Sequence, residues 1–174
     1  GVLLLYLEPY EAFMCLANIL AQPFFLVFYR MDAGEVVSIL GTLEALLQDH
    51  LPAVARHFKE IDLTLELFAV DWFLTIFSRS FPLHFTCRVW DCFFLEGDVR
   101  FLFLVSVALI SLLADDLVKA DFEGCVQLLG KFSKEIDVDK LFHIISTIKI
   151  SPRRWKNLVQ YDMRTVTIIK QQDA

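Results

Sequence analysis

RFLFLVSVALISLLADD, running from Arg100 to Asp116, decides the fold of this chain. Its apolar core, Phe101 to Ala114, is about 14 residues long and interrupted only by Ser106 and Ser111. A bilayer span needs roughly 20 apolar residues, and this run is bracketed by Arg100 and by Asp115–Asp116. A helix that is apolar nearly all round must be enclosed by neighbours if it is not in lipid. The run therefore predicts a buried central helix inside an all-helical protein. Gly97 ends the preceding helix and Asp98 caps this one, which is expected to continue through Leu117.

Outward from that helix, apolar residues recur at spacings of three and four, and β-branched alternation is scarce, so helices are expected throughout. Val2–Leu7 reads as the tail of a helix. Pro9 suits the first turn of a helix over Tyr10–Ala21, with Phe13, Leu16, Ala17 and Leu20 on its inward face. Pro23 marks a break. Asp32 caps a helix to about Gln48, with Val36, Val37, Leu40, Leu43 and Leu47 inward. Pro52 starts a short helix to Lys59, and Asp62 or Thr64 opens another over Leu65–Phe77. Ser80 is expected to cap Pro82–Leu95. Beyond the central helix, Asp121 opens Phe122–Phe132, Asp137 opens Val138–Ile148, and Ser151 with Pro152 opens the last. With six Gly, five Pro and no low-complexity stretch in 174 residues, linkers are short and one helical domain over 1–174 is expected.

The composition points the same way. The chain is 56% hydrophobic with a mean hydropathy of +0.54, above the roughly 45–50% apolar content of ordinary soluble domains. Either much of it is buried on several sides, or apolar surface awaits a partner. Phe, with 17 copies, carries no polar handle and reads as core. A net charge of −6 argues against a nucleic-acid footprint and against strong binding to an anionic membrane. The one basic cluster, Lys149, Arg153, Arg154 and Lys156, reads as a solvated face. Cys15, Cys87, Cys92 and Cys125 form no CxxC and lie in apolar surroundings, as expected of buried thiols in a reducing compartment. The start of the chain, Gly1 to Leu7, has no basic stretch and makes a poor signal peptide.

Few residues offer chemistry. His84 and Cys87 can share a helix face, but Cys92 points elsewhere, so no metal set is expected. Cys87 lacks the orienting third group and exposed thiolate of a nucleophile. No GxxxxGK[ST] or GxGxxG loop occurs to cradle a phosphate. No catalytic residue, metal or cofactor is assigned to the chain. One segment stands out: Asp71-Trp72, then Ser80-Phe81-Pro82-Leu83, then Cys87-Arg88-Val89-Trp90-Asp91. Arg88 and Asp91 are three apart and can pair on a helix surface, while Trp72 and Trp90 anchor two adjacent helices. These features also fit a purely structural reading of two packed indoles, one surface ion pair and one capped turn.

The same segment, extended over His57-Phe58-Lys59, Leu63-Thr64, Val70-Asp71-Trp72-Phe73 and Phe77-Ser78-Arg79-Ser80-Phe81-Pro82-Leu83, resembles the C-terminal half of TBC domains, the Rab GTPase-activating modules. Leu3 to Glu8 with Glu11-Ala12-Phe13 is similar to the stretch after the family's YxQG motif, and the pattern is nearest the branch that holds members 12 and 14. The resemblance covers about residues 1–160. It implies an all-helical, two-lobed domain whose groove meets a Rab, of which this chain is the C-terminal lobe. Ser80, Pro82, Arg88 and Asp91 would shape or support that groove, with Asp71, Trp72 and Trp90 as structural signature. The family works through an Arg of an IxxDxxR motif, which offsets charge on the transferring phosphoryl group, and a Gln of YxQ, which positions the attacking water.

Neither motif occurs here. None of Arg30, Arg56, Arg79, Arg88, Arg100, Arg153, Arg154 and Arg164 has an Asp three residues before it, and none of Tyr6, Tyr10, Tyr29 and Tyr161 has a Gln two residues after it. The resemblance thus implies either part of a longer activator or a non-catalytic helical scaffold. It implies a Rab-family partner that carries the GTP and Mg²⁺, a cytoplasmic location with indirect recruitment to endosomal or Golgi-derived membranes, and a missing lobe facing Val2–Leu7 and Phe24–Phe28.

Overall fold

A computed structural model describes residues 1–130 and 137–159, and among these every regular element is helical. After a 3-10 turn at Val2–Leu5 come α1 (Pro9–Leu20), α2 (Pro23–Arg30), α3 (Ala33–His50) and α4 (Pro52–Glu60). A second 3-10 turn, Leu65–Leu67, leads into α5 (Ala69–Thr75) and α6 (Leu83–Glu96). The rest is α7 (Arg100–Leu112), α8 (Ala114–Leu117), α9 (Phe122–Gly130), α10 (Val138–Thr147) and α11 (Pro152–Val159).

The capping chemistry places most of these starts. The Asp32 carboxylate accepts from the backbone N–H of Gly34 and Glu35, and Asp137 accepts from Lys140 N at 2.9 Å. Asp98 Oδ1 accepts from Arg100 N at 2.8 Å, Asp121 Oδ1 from Gly124 N at 2.9 Å, and Ser151 Oγ from Arg154 N at 3.1 Å. Each satisfies an orphan donor of a helix N-terminus. Pro9, Pro23 and Pro52 sit in first turns, where a missing N–H costs nothing. The expected extension of α9 to Phe132 lies outside the described residues.

α7 is the centre. Phe101, Leu102, Phe103 and every residue from Val105 to Ile110 are buried, and Ser106 is satisfied by donating to Leu102 O at 2.9 Å. α3, α6 and α10 pack around it. Phenylalanines fill the spaces: Phe24 meets Phe25, Phe28, Phe73 and Phe103, and Trp155 of α11 closes on Phe103 at 5.3 Å. Among the described residues no single helix is long and apolar enough to cross a membrane. Of the basic cluster, Arg154 forks onto Asp49 of α3 at 2.8 and 3.1 Å, tying α11 down.

Four expectations need correction. The α1 face was misplaced: Ala12 and Ile19 are buried, while Phe13 (65% exposed) and Leu16 look outward. Val37 is also exposed rather than inward. Phe25, Val27 and Phe28 are core, so of the two segments expected to face a missing lobe only the first has the exposure, at Leu4, Leu5 and Tyr6. Finally, the helices expected over Leu65–Phe77 and Asp98–Leu117 are each broken.

The first, split at Phe68, also stops at Thr75 rather than Phe77, and that stop has a clear cause. Ile76 and Phe77 both adopt left-handed backbone, φ 47° and 63°, and Phe77 N donates back to Trp72 O at 2.8 Å. That i→i−5 bond is the glycine-type helix stop, here made without glycine. Met31 and Asp62 end α2 and α4 the same way, with Asp32 N reaching Val27 O and Leu63 N reaching Phe58 O. Left-handed backbone at a β-branched residue costs about 1–3 kcal/mol. Ile76 and Phe77 are both buried, and their burial offsets it.

Candidate functional site

The 71–91 segment closes on one carboxylate. Asp71 lies in the first turn of α5. Its Oδ2 accepts from Ser80 Oγ at 3.0 Å, and its Oδ1 accepts from Arg79 Nη1 at 3.0 Å. Both donors stand on the turn between α5 and α6, so Asp71 fixes that turn's path. Thr75 Oγ1 donates to Asp71 O at 2.7 Å and Ser78 Oγ to Thr75 O at 2.8 Å. Ser80 is therefore a latch on α5 and not a cap of α6: the cap position belongs to Pro82, and no side chain bonds there. Pro82 lacks an N–H, and its carbonyl accepts from Thr86 N and Thr86 Oγ1.

The two signature indoles do different work. Trp72 is fully buried and sits among Phe68, Phe77 and Phe81, at 4.8 to 6.0 Å between ring centres. Phe81 stacks on Phe85 at 4.6 Å, carrying the aromatic column from α5 into α6. Trp90 is only partly buried, and its Nε1 donates to Ile76 O at 2.7 Å. That bond satisfies a carbonyl which the left-handed turn removes from the helix ladder. Trp90 thus fastens α6 to the strained end of α5.

Arg88 and Asp91 do not form the expected pair. Among the described residues no ion pair within 4 Å involves either. The Arg88 guanidinium instead lies 5.5 Å from the ring centre of Phe142 on α10, an attraction worth about 0.5–1 kcal/mol at an exposed site. Asp91 is exposed. The Cys87 thiol and the Tyr6 hydroxyl share a hydrogen bond at 3.3 Å, joining α6 to the first turn of the chain, and the bond from the phenol to this thiol raises the Tyr6 pKa. Burial raises the Cys92 and Cys125 thiols above their usual range. Among the described residues no three His, Cys, Asp or Glu side chains are placed to hold a metal ion, and His84 is exposed.

Beside this unit lies an open, mainly apolar cleft of about 670 Å³. Ala12, Phe13, Leu16, Leu74, Ile76 and Trp90 line it, with Thr75 and Ser78 at its edge. The site thus sets a charge-latched turn beside an apolar groove. It contains no acid–base pair or phosphate cradle.

Sequence reasoning named Asp71 and Ser80, which the structure joins, and Pro82, which stands two residues on and opens α6. It missed Arg79, whose partner stands eight residues away across a turn, and Phe142, whose contact with Arg88 comes from a distant helix.

Comparison with known proteins gives matches that include this segment. The family model described as "Rab-GTPase-TBC domain" matches residues 1–118. Human "TBC1 domain family member 14" is 34% identical over 156 residues, 90% of this chain and 22% of that protein. "TBC1 domain family member 12" of Rattus norvegicus is 36% identical over 157 residues, 89% of this chain and 22% of that protein. "Drainin" of Dictyostelium discoideum is 31% identical over 161 residues, 92% of this chain and 36% of that protein. Among solved structures, the crystal structure of the Ypt/Rab-GAP domain of Gyp1p aligns with a TM-score of 0.67 at 20% identity, covering 78% of this chain and 42% of that one. At that identity the likeness is one of fold. The chain spans about a fifth of the length of the member 12 and member 14 proteins.

Proposed function

The chain belongs to the Rab-GTPase-TBC domain family, and from that premise we propose that it is the C-terminal, groove-shaping part of a GTPase-activating domain for Rab-family small GTPases. The observation that carries the reading is the Asp71 latch. The family match spans the residues that hold the α5–α6 turn and Trp90 rigid beside an apolar cleft. Rigid placement of a surface is what an activator working in trans requires, because its contribution is positioning and charge stabilisation.

The chemistry belongs to the GTP and Mg²⁺ of the Rab. The Arg and Gln fingers of the family are not encoded between Gly1 and Ala174, so this stretch by itself is inactive and the fingers come from sequence outside it. The exposed apolar residues of the first turn and the start of α1 are the surface that the complementary lobe covers. In this reading Ser80 and Pro82 hold the groove wall, Arg88 locks α6 to α10, and Asp91 is the residue free to meet the partner. The protein acts in the cytoplasm and reaches endosomal or Golgi-derived membranes through other segments.

Two measurements test this. An environment-sensitive hydrophobic dye should bind the isolated chain and be displaced when the chain is extended upstream; low dye binding by a monomeric, cooperatively melting chain would remove the uncovered-lobe argument. Reversing the charge at Asp91 in the extended protein should slow Rab GTP hydrolysis without lowering the melting temperature; unchanged activity discards Asp91 as a contact. The alternative of a non-catalytic scaffold is favoured by the absence of both finger motifs from the sequence, and it predicts Rab binding without acceleration by any extended form.

A further inference from the structure

A second cleft, of about 450 Å³, opens between α3, α4 and the 62–66 loop, and none of its lining residues belongs to the 71–91 segment. Its floor includes Leu40, Leu47, Phe58 and Leu63, all buried beneath it. Its rim carries Glu44, Lys59, Asp62 and Glu66. Lys59 is paired with Glu44 at 3.0 Å, whereas Asp62 and Glu66 are exposed and make no ion pair among the described residues. The rim is therefore net acidic over an apolar floor.

Gly41 supplies the second observation. It stands in the interior of an 18-residue helix, where glycine is about 1 kcal/mol less favourable than alanine. A Cβ built on it would meet nothing within 4 Å, so nothing among the described residues requires its missing side chain. Val37, four residues earlier on the same stripe, is 57% exposed and lines the same cleft. A helix stripe exposed at Val37 and notched at Gly41 lets another backbone approach closely, since interaxial distance is set by side chains at the crossing. The described residues offer no sheet edge to an incoming strand, so the fitting element is a helix.

We propose that this cleft docks an amphipathic α-helix of a partner protein, which crosses α3 at Gly41 and sets Lys or Arg residues against Asp62 and Glu66. The site is separate from the GTPase-facing groove and does not depend on the activator reading.

The test uses the whole chain and a synthetic helix of roughly 18 residues, long enough to be helical alone, with a Leu/Ala seam flanked by lysines; its twin carries glutamates instead. Fluorescence anisotropy should show the lysine probe binding and the glutamate twin failing. Gly41→Phe should weaken binding at least tenfold. Asp62→Lys with Glu66→Lys should weaken it about 2- to 30-fold, the range of two exposed ion pairs, and shift preference to the glutamate twin. Gly41→Ala separates docking from folding: it should raise the melting temperature by a few degrees while weakening the probe. Equal binding of both probes, binding unaffected by Gly41→Phe, or no binding of the lysine probe up to about 1 mM would overturn the proposal. If Gly41→Phe does not fold, the charge-reversed variant, altered only at exposed positions, decides.

Discussion

Replacing Asp71 by alanine should cost this protein about 2–4 kcal/mol, nearly all of it through one of its two bonds. Ser80 is only 8% exposed, and its hydroxyl donates to Asp71 Oδ2 at 3.0 Å. A hydrogen bond to a charged acceptor contributes about 1.5–3 kcal/mol, and truncation also leaves a poorly hydrated hydroxyl unsatisfied. The Arg79 bond has the same length, 3.0 Å, but the Arg79 side chain is 78% exposed. Such a pair is worth about 0–1 kcal/mol and is screened by salt. Asp71→Ala should therefore lower the melting temperature by roughly 5–15 °C for a chain of this length. Arg79→Ala should cost less than about 1 kcal/mol, and less still in high salt. Urea denaturation followed by tryptophan fluorescence suits the measurement, because Trp72 is buried beside the latch. A double-mutant cycle between Asp71 and Ser80 should give a coupling of about 1–2 kcal/mol. If Arg79→Ala were as damaging as Asp71→Ala, or if that coupling were within error of zero, the latch would not be what holds the α5–α6 turn.

Trp90→Phe keeps the ring but removes the donor to Ile76 O, and should destabilise by about 1–3 kcal/mol in urea; no loss would mean water replaces the indole N–H. Arg88→Ala should cost about 0.5–1 kcal/mol through Phe142, Asp91→Ala nearly nothing, and the cycle between them should show no coupling; a coupling above about 0.5 kcal/mol would restore the ion pair. Stability should also fall in alkali. The pKa values of Cys92, Cys125 and Tyr6 are all raised in the folded protein, so the folded state holds those protons more tightly. Their contribution is complete below the ordinary thiol and phenol range, about 8.5 and 10, and is lost as pH rises through the folded values. The urea midpoint should drop above about pH 8.5 less steeply in Cys125→Ala, and an equal slope would contradict the thiol assignment.

Elements whose ends are written in local chemistry were legible in the sequence. Asp32, Asp98, Asp121, Asp137 and Ser151 cap as side chains must, Gly97 stops α6 at φ 63°, and the apolar run of Arg100–Leu112 is the central helix. The stops at Met31 and Ile76 were illegible, because each uses left-handed backbone without the glycine that signals it, whereas the short helix expected to end at Lys59 ends at Glu60. The stop at Ile76 is held by tertiary burial and by the bond from Trp90, which local sequence does not display. The α1 face failed for a related reason. Its apolar residues outnumber those one face can bury, and periodicity alone cannot tell Ala12 and Ile19, which are covered, from Phe13 and Leu16, which are not. In the site, Asp71, Ser80 and Pro82 were recognisable through the family pattern. Their roles were not, since Ser80 before a proline reads as a helix cap until the turn is seen to fold back onto Asp71.

The central claim is that this chain carries the groove of a Rab activator while its catalytic fingers lie elsewhere. GTP hydrolysis by a panel of Rab proteins, measured with this chain and with a form extended upstream, tests it most directly. The account predicts no acceleration by the chain alone and acceleration by the extended form toward the roughly 10³–10⁵-fold range of supplied fingers. Acceleration by the 174-residue chain itself, or none by an extended form that binds the same Rab, would contradict it.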